Sequence, residues 1–282
     1  MLAAEAKTRE ERMWKMIGAI IGDIVGSRFE FDCNNIKTKD FEFFHADCEW
    51  TDDSLMTVAV AAALMKWKAE GGDLRKIATE SMRAFAQSIP CGGYGGRFAD
   101  WLFCDDPNPY NSWGNGSAMR VSTCGWIGES LEEVKALSLQ VTDITHNHPE
   151  GIKGAEATAV AIWLVRQGWK VPEIRAHVVE NYYPLGFTLD EIRPTYRMDE
   201  SCQGSVPQAL EAFFESTSFE DAVRNAVSIG GDSDTIAAIA GSVAEAYWGV
   251  PRQFADKALS LIEPEMAQVT QKFWQRYGGK VV

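Results

Sequence analysis

The sequence predicts an all-α protein that folds as one compact helical unit. Helical periodicity of apolar residues runs through most of the 282 positions, whereas convincing alternation of apolar and polar residues, the pattern of β-strands, is missing. With 46% hydrophobic residues, the chain can bury a large core. We therefore expect a polar N-terminal extension over residues 1–15 and a single helical domain over residues 16–282.

The helices can be placed in order from their periodicity and their stop signals. Small residues at Gly18, Gly22 and Gly26 give the first apolar segment a face that a second helix can approach closely. A glycine pair, Gly71 and Gly72, ends the second helix. The periodic segments cover residues 17–26, 55–68, 74–88, 118–127, 131–142, 151–167, 172–182, 205–215, 219–227, 235–248 and 252–277, the last broken near Pro264.

Composition argues against several functional classes. The formal net charge of −13 disfavours broad binding to nucleic acids or anionic membranes, because that binding needs basic surfaces. No run of about 18 apolar residues is present, and the charged start of the chain lacks the apolar core of a signal peptide. The six cysteines are scattered without a C-x-x-C pair, which indicates reduced thiols rather than a zinc cluster. These features predict a cytoplasmic protein without a membrane partner.

Two acidic motifs stand at the starts of predicted apolar helices. A helix start needs roughly one capping side chain, so a pair of aspartates exceeds that need. Such like charges repel unless protons or a cation neutralise them, and oxygen donors suit hard ions such as Mg²⁺, Mn²⁺ or Ca²⁺. The candidate ligands, which could hold two divalent ions as two-metal hydrolytic sites do, are Thr51, Asp52, Asp53, Asp232, Asp234 and Thr235. The alternative is that each motif only caps its own helix and complements the helix dipole.

Two glycine-rich loops could hold a phosphate or ribose oxygens through their backbone N–H groups. Neither loop matches the dinucleotide-binding or P-loop pattern, and flexible glycine turns without a function are common. The candidate positions are Gly93, Tyr94, Gly95 and Gly96 in the first loop and Ser112, Trp113, Gly114, Asn115 and Gly116 in the second.

Two further residues are candidates for proton chemistry or substrate contact. His146 precedes a predicted helix, where it either contacts a substrate or only caps the helix and bonds a carbonyl group. Glu30 lies between Phe29 and Phe31, and apolar surroundings would raise the pKa of its carboxyl and suit it to acid or base catalysis. The alternative for Glu30 is an ordinary solvated surface position.

These motifs, taken in order, resemble those of the ADP-ribosylglycohydrolase family. The resemblance runs from Ile17 to about Gly249 and therefore covers most of the chain. The segments that carry it are Gly22-Asp23-x-x-Gly26-x-x-x-Glu30, Thr51-Asp52-Asp53, Gly114-Asn115-Gly116-x-Ala118-Met119-Arg120, Thr145-His146 and Gly230-Gly231-Asp232-Ser233-Asp234-Thr235.

The resemblance implies an all-helical, orthogonal bundle with two Mg²⁺ or Mn²⁺ ions in a central cleft. It implies that the six candidate ligands named above hold those ions. Similar proteins hold the distal ribose over the metals, with the first glycine loop, 93–96, near the diphosphate. Trp113 falls where the family often has an aromatic residue beside the nucleoside.

The resulting hypothesis is hydrolysis of the glycosidic bond between ADP-ribose and an acceptor, which would reverse ADP-ribosylation. The substrate would be an ADP-ribosylated protein or small molecule and the product ADP-ribose. Glu30 is the first candidate for general acid or base, and Asp53 is the second. Two alternatives stay open: a non-catalytic ADP-ribose-binding or structural relative, and a two-metal phosphoesterase. The identity of the acceptor also stays open.

Overall fold

The structure, a computed structural model, describes residues 15–278. Within these residues the chain is helical and forms no β-strand, apart from one isolated antiparallel bridge between Gly114 and Ser201. The predicted all-α fold is confirmed. The predicted polar extension lies outside the described residues except for Lys15, which is buried.

We number the helices in chain order. They are α1 (Ile17–Ser27), α2 (Asp52–Glu70), α3 (Leu74–Ser88), α4 (Gly96–Phe103), α5 (Gly116–Met119), α6 (Ser122–Ile127), α7 (Leu131–Thr142), α8 (Pro149–Arg166), α9 (Val171–Asn181), α10 (Leu189–Ile192), α11 (Cys202–Phe214), α12 (Phe219–Ser228), α13 (Ser233–Trp248), α14 (Arg252–Leu261) and α15 (Pro264–Tyr277). None of the described helices is long and apolar enough to cross a membrane.

The periodic segments become helices with small shifts at their ends, and the last segment is broken at the predicted proline. The single helix predicted over residues 118–127 is instead two short helices, α5 and α6. Arg120 and Val121 separate them with φ, ψ angles of −93°, −4° and −89°, −6°. Helices α4 and α10 were not predicted, because eight and four residues are too short to establish a period.

The centre of the molecule is the pair α1 and α13, which pack against each other more extensively than other helices do. The glycine face of α1 makes this approach possible, as predicted. A Cβ atom on Gly22 would overlap the carbonyl group of Ala237, and one on Gly26 would lie 2.5 Å from the Cα atom of Asp234. The packing therefore brings the end of α1 directly against the start of α13.

Candidate functional site

The two acidic motifs meet at one place in the fold. The Thr235 hydroxyl donates a hydrogen bond of 3.2 Å to Oδ2 of Asp53, which joins the first turns of α2 and α13. Glu30, Asp232 and Asp234 each offer a carboxylate oxygen, and these oxygens lie within 4.8 Å of one another. Residues that are distant in the chain thus form a single acidic cluster.

Capping of α2 does not account for the aspartates at its start. The Thr51 hydroxyl accepts from the Asp53 backbone N–H at 3.3 Å, which is the usual role of an N-cap residue. Asp23, buried in α1, accepts from the backbone N–H groups of Thr51 and Ser54 at 2.9 and 3.0 Å. The side chains of Asp52 and Asp53 are therefore not needed to cap α2.

The start of α13 leads to the same conclusion. Asp232 is the N-cap residue of this helix, yet its side chain forms no capping hydrogen bond. Its Oδ2 instead accepts from the side-chain amide of Asn115 at 2.6 Å. Oδ1 of Asp234 accepts from the Thr235 backbone N–H at 2.8 Å, so one oxygen of this pair does serve the helix start. The interpretation that each motif only caps its own helix is incomplete, because Asp232 bonds Asn115 instead.

The electrostatics of the cluster are those of crowded, buried carboxyls. Burial raises the pKa of Asp52 to about 8, with further increases from the charges of neighbouring carboxylates. Burial and the charge of Asp232 raise the pKa of Glu30 to about 7. Burial followed by neighbouring carboxylates also holds the pKa values of Asp53 and Asp234 well above their usual range. The cluster therefore favours the binding of protons or cations.

The donor set fits a hard divalent cation. Oδ1 of Asp53 is buried and has no hydrogen-bond partner among the described residues. An unpartnered buried carboxylate oxygen is strongly unfavourable unless something else satisfies it. All the donors around it are oxygens, which Mg²⁺ and Mn²⁺ prefer. Five of the predicted ligands line the same cavity, where they could hold such an ion: Asp52, Asp53, Asp232, Asp234 and Thr235.

The acidic cluster forms the floor of a cavity of about 280 Å³. Both glycine loops contribute to its walls. The first loop contributes Gly93, Gly95 and Gly96, and a Cβ atom on Gly93 would lie 2.6 Å from Oδ1 of Asp52. Glycine at this position, where φ is +92°, therefore lets the loop approach the floor closely.

The second glycine loop also lines the cavity, through Ser112, Gly114, Asn115 and Gly116. His146, which is 5% exposed, lines the cavity as well, and its Nε2 atom lies close to Gly114 and Gly116. The cavity thus has carboxylates at its floor and backbone-rich walls, which is a chemistry suited to a polar ligand that carries hydroxyl or phosphate groups.

Three of the predicted site residues lie outside the set that lines the cavity. The Thr51 hydroxyl donates to Oδ1 of Asp23 at 2.7 Å, a contact that ties the start of α2 to α1. Tyr94 is half-buried and packs edge-on against Phe98, with ring centroids 5.8 Å apart. Trp113 is 47% exposed. Their predicted roles as ligand or substrate contacts stay predictions.

The fold brings several residues to the site that had no role in the sequence prediction. Asp23 is the clearest case, and a charged residue inside an apolar helical segment was the available signal. Arg97 and Tyr110 line the cavity beside the glycine loops. Met198 and Glu200 also line it, and they arrive from a loop that carries no motif, so no local signal pointed to them.

Asn35 connects the Glu30 segment to the start of α13. Its Nδ2 donates to the carbonyl oxygens of Phe29 at 2.6 Å and of Gly231 at 3.1 Å, and its Oδ1 accepts from the Gly231 N–H at 2.5 Å. Gly230 and Gly231 adopt φ angles of +71° and +75°, which only glycine tolerates easily. The side chain of Asn35 thus ties the sharp turn at Gly230 and Gly231, which precedes Asp232, to Phe29, the neighbour of Glu30.

The chain is similar to known proteins over much of its length. The model of the family described as ADP-ribosylglycohydrolase matches residues 6–279. The ADP-ribosylarginine hydrolase Tri1 of Pseudomonas putida is 27% identical over 278 residues, covering 86% of this chain and 72% of that protein. The ADP-ribosylhydrolase ARH3 of Homo sapiens is 26% identical over 189 residues, covering 51% of this chain and 52% of that protein.

A solved structure is also similar along nearly the whole length of the chain. A chain described as belonging to an ADP-ribosylglycohydrolase-related protein complex superposes with a TM-score of 0.68 at 21% identity, covering 95% of this chain and 99% of that chain. At this identity the likeness establishes the fold. Since the family match extends over residues 6–279, the resemblance inferred from the motifs is confirmed. The chain belongs to the ADP-ribosylglycohydrolase family.

Proposed function

We propose that this protein is a divalent-metal-dependent hydrolase that cleaves the glycosidic bond between ADP-ribose and an acceptor. The observation that carries the proposal is the convergence of Glu30, Asp232 and Asp234 within 4.8 Å, joined to Asp53 through Thr235. Within residues 15–278, helix capping accounts for only one of these carboxylate oxygens, Oδ1 of Asp234, which accepts from the Thr235 N–H. Relatives that share the family are named for hydrolysis of ADP-ribosyl groups.

The residues that would hold two Mg²⁺ or Mn²⁺ ions are Thr51, Asp52, Asp53, Asp232, Asp234 and Thr235. When bound, such ions supply positive charge that can hold the hydroxyl groups of the ribose. The unpartnered oxygen of Asp53 and the raised pKa values of the cluster support this assignment, because a bound cation would satisfy that oxygen and neutralise the crowded charges.

Glu30 is proposed as the general acid or base. Its carboxyl is half-buried beside Asp232, and a pKa of about 7 lets it hold or release a proton near neutral pH. In the reaction, water adds to the anomeric carbon while the bond from that carbon to the acceptor breaks. Glu30 would accept a proton from the water or donate one to the leaving acceptor. Asp53 is the second candidate for this role.

The cavity walls would bind the rest of the substrate. Backbone N–H groups of the loop at Gly93, Gly95 and Gly96 are available for the diphosphate, and the loop at Ser112–Gly116 together with His146 is available for the ribose or nucleoside. The substrate is an ADP-ribosylated protein or small molecule, and ADP-ribose is the product.

The six cysteines are free in the structure, which supports our proposal of a cytoplasmic location.

The decisive experiment is product analysis with defined substrates. The protein is incubated with ADP-ribosylated arginine, serine, nucleobase and small-molecule acceptors, with Mg²⁺, with Mn²⁺ and with chelator. Release of free ADP-ribose that requires metal is the expected result. AMP with ribose phosphate would instead identify a phosphoesterase. Tight binding of ADP-ribose without release from any acceptor would identify a non-catalytic relative.

Two substitutions separate the site from the rest of the acidic surface. Asp232→Asn should abolish turnover while the fold survives, because one of the clustered carboxylates is lost. Asp40→Asn removes an exposed carboxylate that does not line the cavity and should leave turnover unchanged. Full activity of Asp232→Asn would contradict the proposal.

A further inference from the structure

His146 follows α7 and is buried behind the second glycine loop. Its Nε2 atom lies against that loop, since a Cβ atom on Gly116 would sit 3.4 Å from it. Within residues 15–278, no protein group forms a hydrogen bond with Nε2, whereas Nδ1 lies 2.7 Å from the Thr145 hydroxyl. The ring therefore has one nitrogen committed to the protein and one available to the contents of the cavity that it lines.

The partners of the Thr145 hydroxyl decide which ring nitrogen carries the hydrogen. Nη2 of Arg120 lies 2.6 Å from Thr145 Oγ1, and a guanidinium can only donate, so Oγ1 accepts this bond. The single hydroxyl hydrogen of Thr145 can then go to Nδ1 of His146 at 2.7 Å or to the Thr142 carbonyl at 3.3 Å. The shorter contact has the usual length for a hydroxyl donor, and the longer one does not.

The charge of Arg120 strengthens this preference. A cation bonded to Oγ1 withdraws electrons from the oxygen, which makes the hydroxyl a better donor and a poorer acceptor of a second bond. Nδ1 of His146 therefore accepts, and the ring hydrogen resides on Nε2. Burial, followed by the charges of Arg120 and Arg97, holds the pKa of His146 well below its usual range, so the ring is uncharged at neutral pH.

Arg120 has no other use for its donors in the described part of the chain. The side chain is fully buried beneath the ring of Phe98, 5.3 Å from the ring centroid, and its Nε and Nη1 atoms have no hydrogen-bond partner. Buried arginines are normally held by several acceptors. Its one hydrogen bond within these residues goes to Thr145, whose hydroxyl in turn contacts Nδ1 of His146.

We propose that Arg120 and Thr145 are positioning residues that fix His146 as its Nε2–H tautomer. The ring then presents one uncharged donor to an acceptor oxygen of a phosphate or hydroxyl group in the cavity. The nature of that ligand, an ADP-ribosyl group, rests on the proposed function, whereas the tautomer does not. Neither Arg120 nor Thr145 contacts the ligand in this proposal.

The tautomer can be measured directly in the ligand-free protein. Long-range ¹H–¹⁵N spectra of the histidine-labelled protein distinguish Nε2–H from Nδ1–H rings, and the His146→Gln variant assigns the signal among the four histidines. We expect an Nε2–H ring in the wild type and in Thr145→Ser, which keeps the hydroxyl. We expect mixed tautomers in Thr145→Val and in Arg120→Met. Thr123→Val is the matched control, because its buried hydroxyl has no hydrogen-bond partner within residues 15–278.

An Nδ1–H ring in the wild type would overturn the proposal without any variant, so the test survives if a variant fails to fold. An unchanged Nε2–H ring in Thr145→Val would overturn it as well. ADP-ribose affinity supplies the second measurement. An even mixture of tautomers halves the fraction of rings that can donate, so it predicts about twofold weaker binding by Thr145→Val, with Thr145→Ser and Thr123→Val close to wild type. Unchanged affinity with the expected tautomer change would overturn the donor role alone. Hydrolysis assays judge the proposed function separately.

Discussion

The hydroxyl of Thr235 donates to Oδ2 of Asp53 over 3.2 Å, although the two residues are 182 positions apart. This contact joins the first turn of α13 to the first turn of α2, and it places two acidic helix starts in one cluster. The opposite arrangement, with each motif facing a different part of the surface, would have removed the basis for a shared metal site.

The cluster should destabilise the protein in the absence of metal. Asp53→Asn removes one of several crowded charges and keeps an oxygen that can accept from Thr235. We expect the metal-free variant to be more stable than wild type by about 0.5–2 kcal/mol, and to lose most of the stabilisation that Mg²⁺ gives. Thermal unfolding with chelator and with Mg²⁺ measures both effects. The idea fails if Asp53→Asn lowers stability in chelator, with Asp40→Asn as the control.

Stability should depend on pH in a direction set by the raised pKa values. The pKa of Asp52 is about 8 and that of Glu30 about 7, above their ordinary values of 3.8 and 4.5. The folded protein therefore binds more protons than the unfolded chain between about pH 4 and pH 8, and its stability falls as pH rises through this window.

The corresponding measurement is a series of unfolding midpoints in chelator from pH 5 to pH 8. We expect the midpoint to decrease with rising pH, and the increment given by Mg²⁺ to grow, because protons and cations compete for the same oxygens. A midpoint in chelator that rises steadily over this range would show that the carboxyls are not held in their protonated form.

Asn35 should matter for metal binding without touching the metal ligands. Asn35 forms hydrogen bonds with the backbone of Phe29 and with the backbone of Gly231. Asn35→Ala removes these bonds and so frees the turn that precedes Asp232. We expect roughly tenfold weaker Mn²⁺ binding, as for other supports of metal ligands. Titration followed by electron paramagnetic resonance measures it. Asn34→Ala, at an exposed neighbour, should bind Mn²⁺ as wild type does, and equal affinities of the two variants would refute the role of Asn35.

The glycine face of α1 should be sensitive to a single methyl group. A Cβ atom on Gly22 would overlap the backbone of Ala237, whereas one on Gly92 would meet no atom within 4 Å. We expect Gly22→Ala to destabilise the fold by about 1–3 kcal/mol or more, as overpacking does, and Gly92→Ala to change stability little. Midpoints of urea unfolding compare the two. Equal midpoints would mean that α1 and α13 are less tightly packed than the structure describes.

Much of the fold was predictable because it depends on local sequence. Apolar periodicity places most helices, and the stop signals at Gly71 and Pro264 lie within two or three residues of the observed ends. The glycine spacing of α1 correctly predicted a close helix neighbour, although it could not name α13. The break at Arg120 was not predicted; there the side chain is buried and bonds Thr145, a residue of a later segment.

Part of the site was predictable from local motifs as well, and part of it was not. The motifs supplied the oxygen donors and the glycine loops, but the capping role of Asp23 and the unpartnered oxygen of Asp53 became visible only in three dimensions. Met198 and Glu200 reach the cavity from a loop without a recognisable pattern. No sequence signal could have placed them there.

The sequence by itself determined the helical class, most helix positions and the hard, oxygen-rich character of the site, because these follow from periodicity and side-chain chemistry over short stretches. The tertiary structure decided which carboxylates share one space, that Glu30 stands beside Asp232 and Asp234, and that Arg120 reaches His146 through Thr145. Distances between remote segments are set by the packing of whole helices, and such packing has no local signature in the chain.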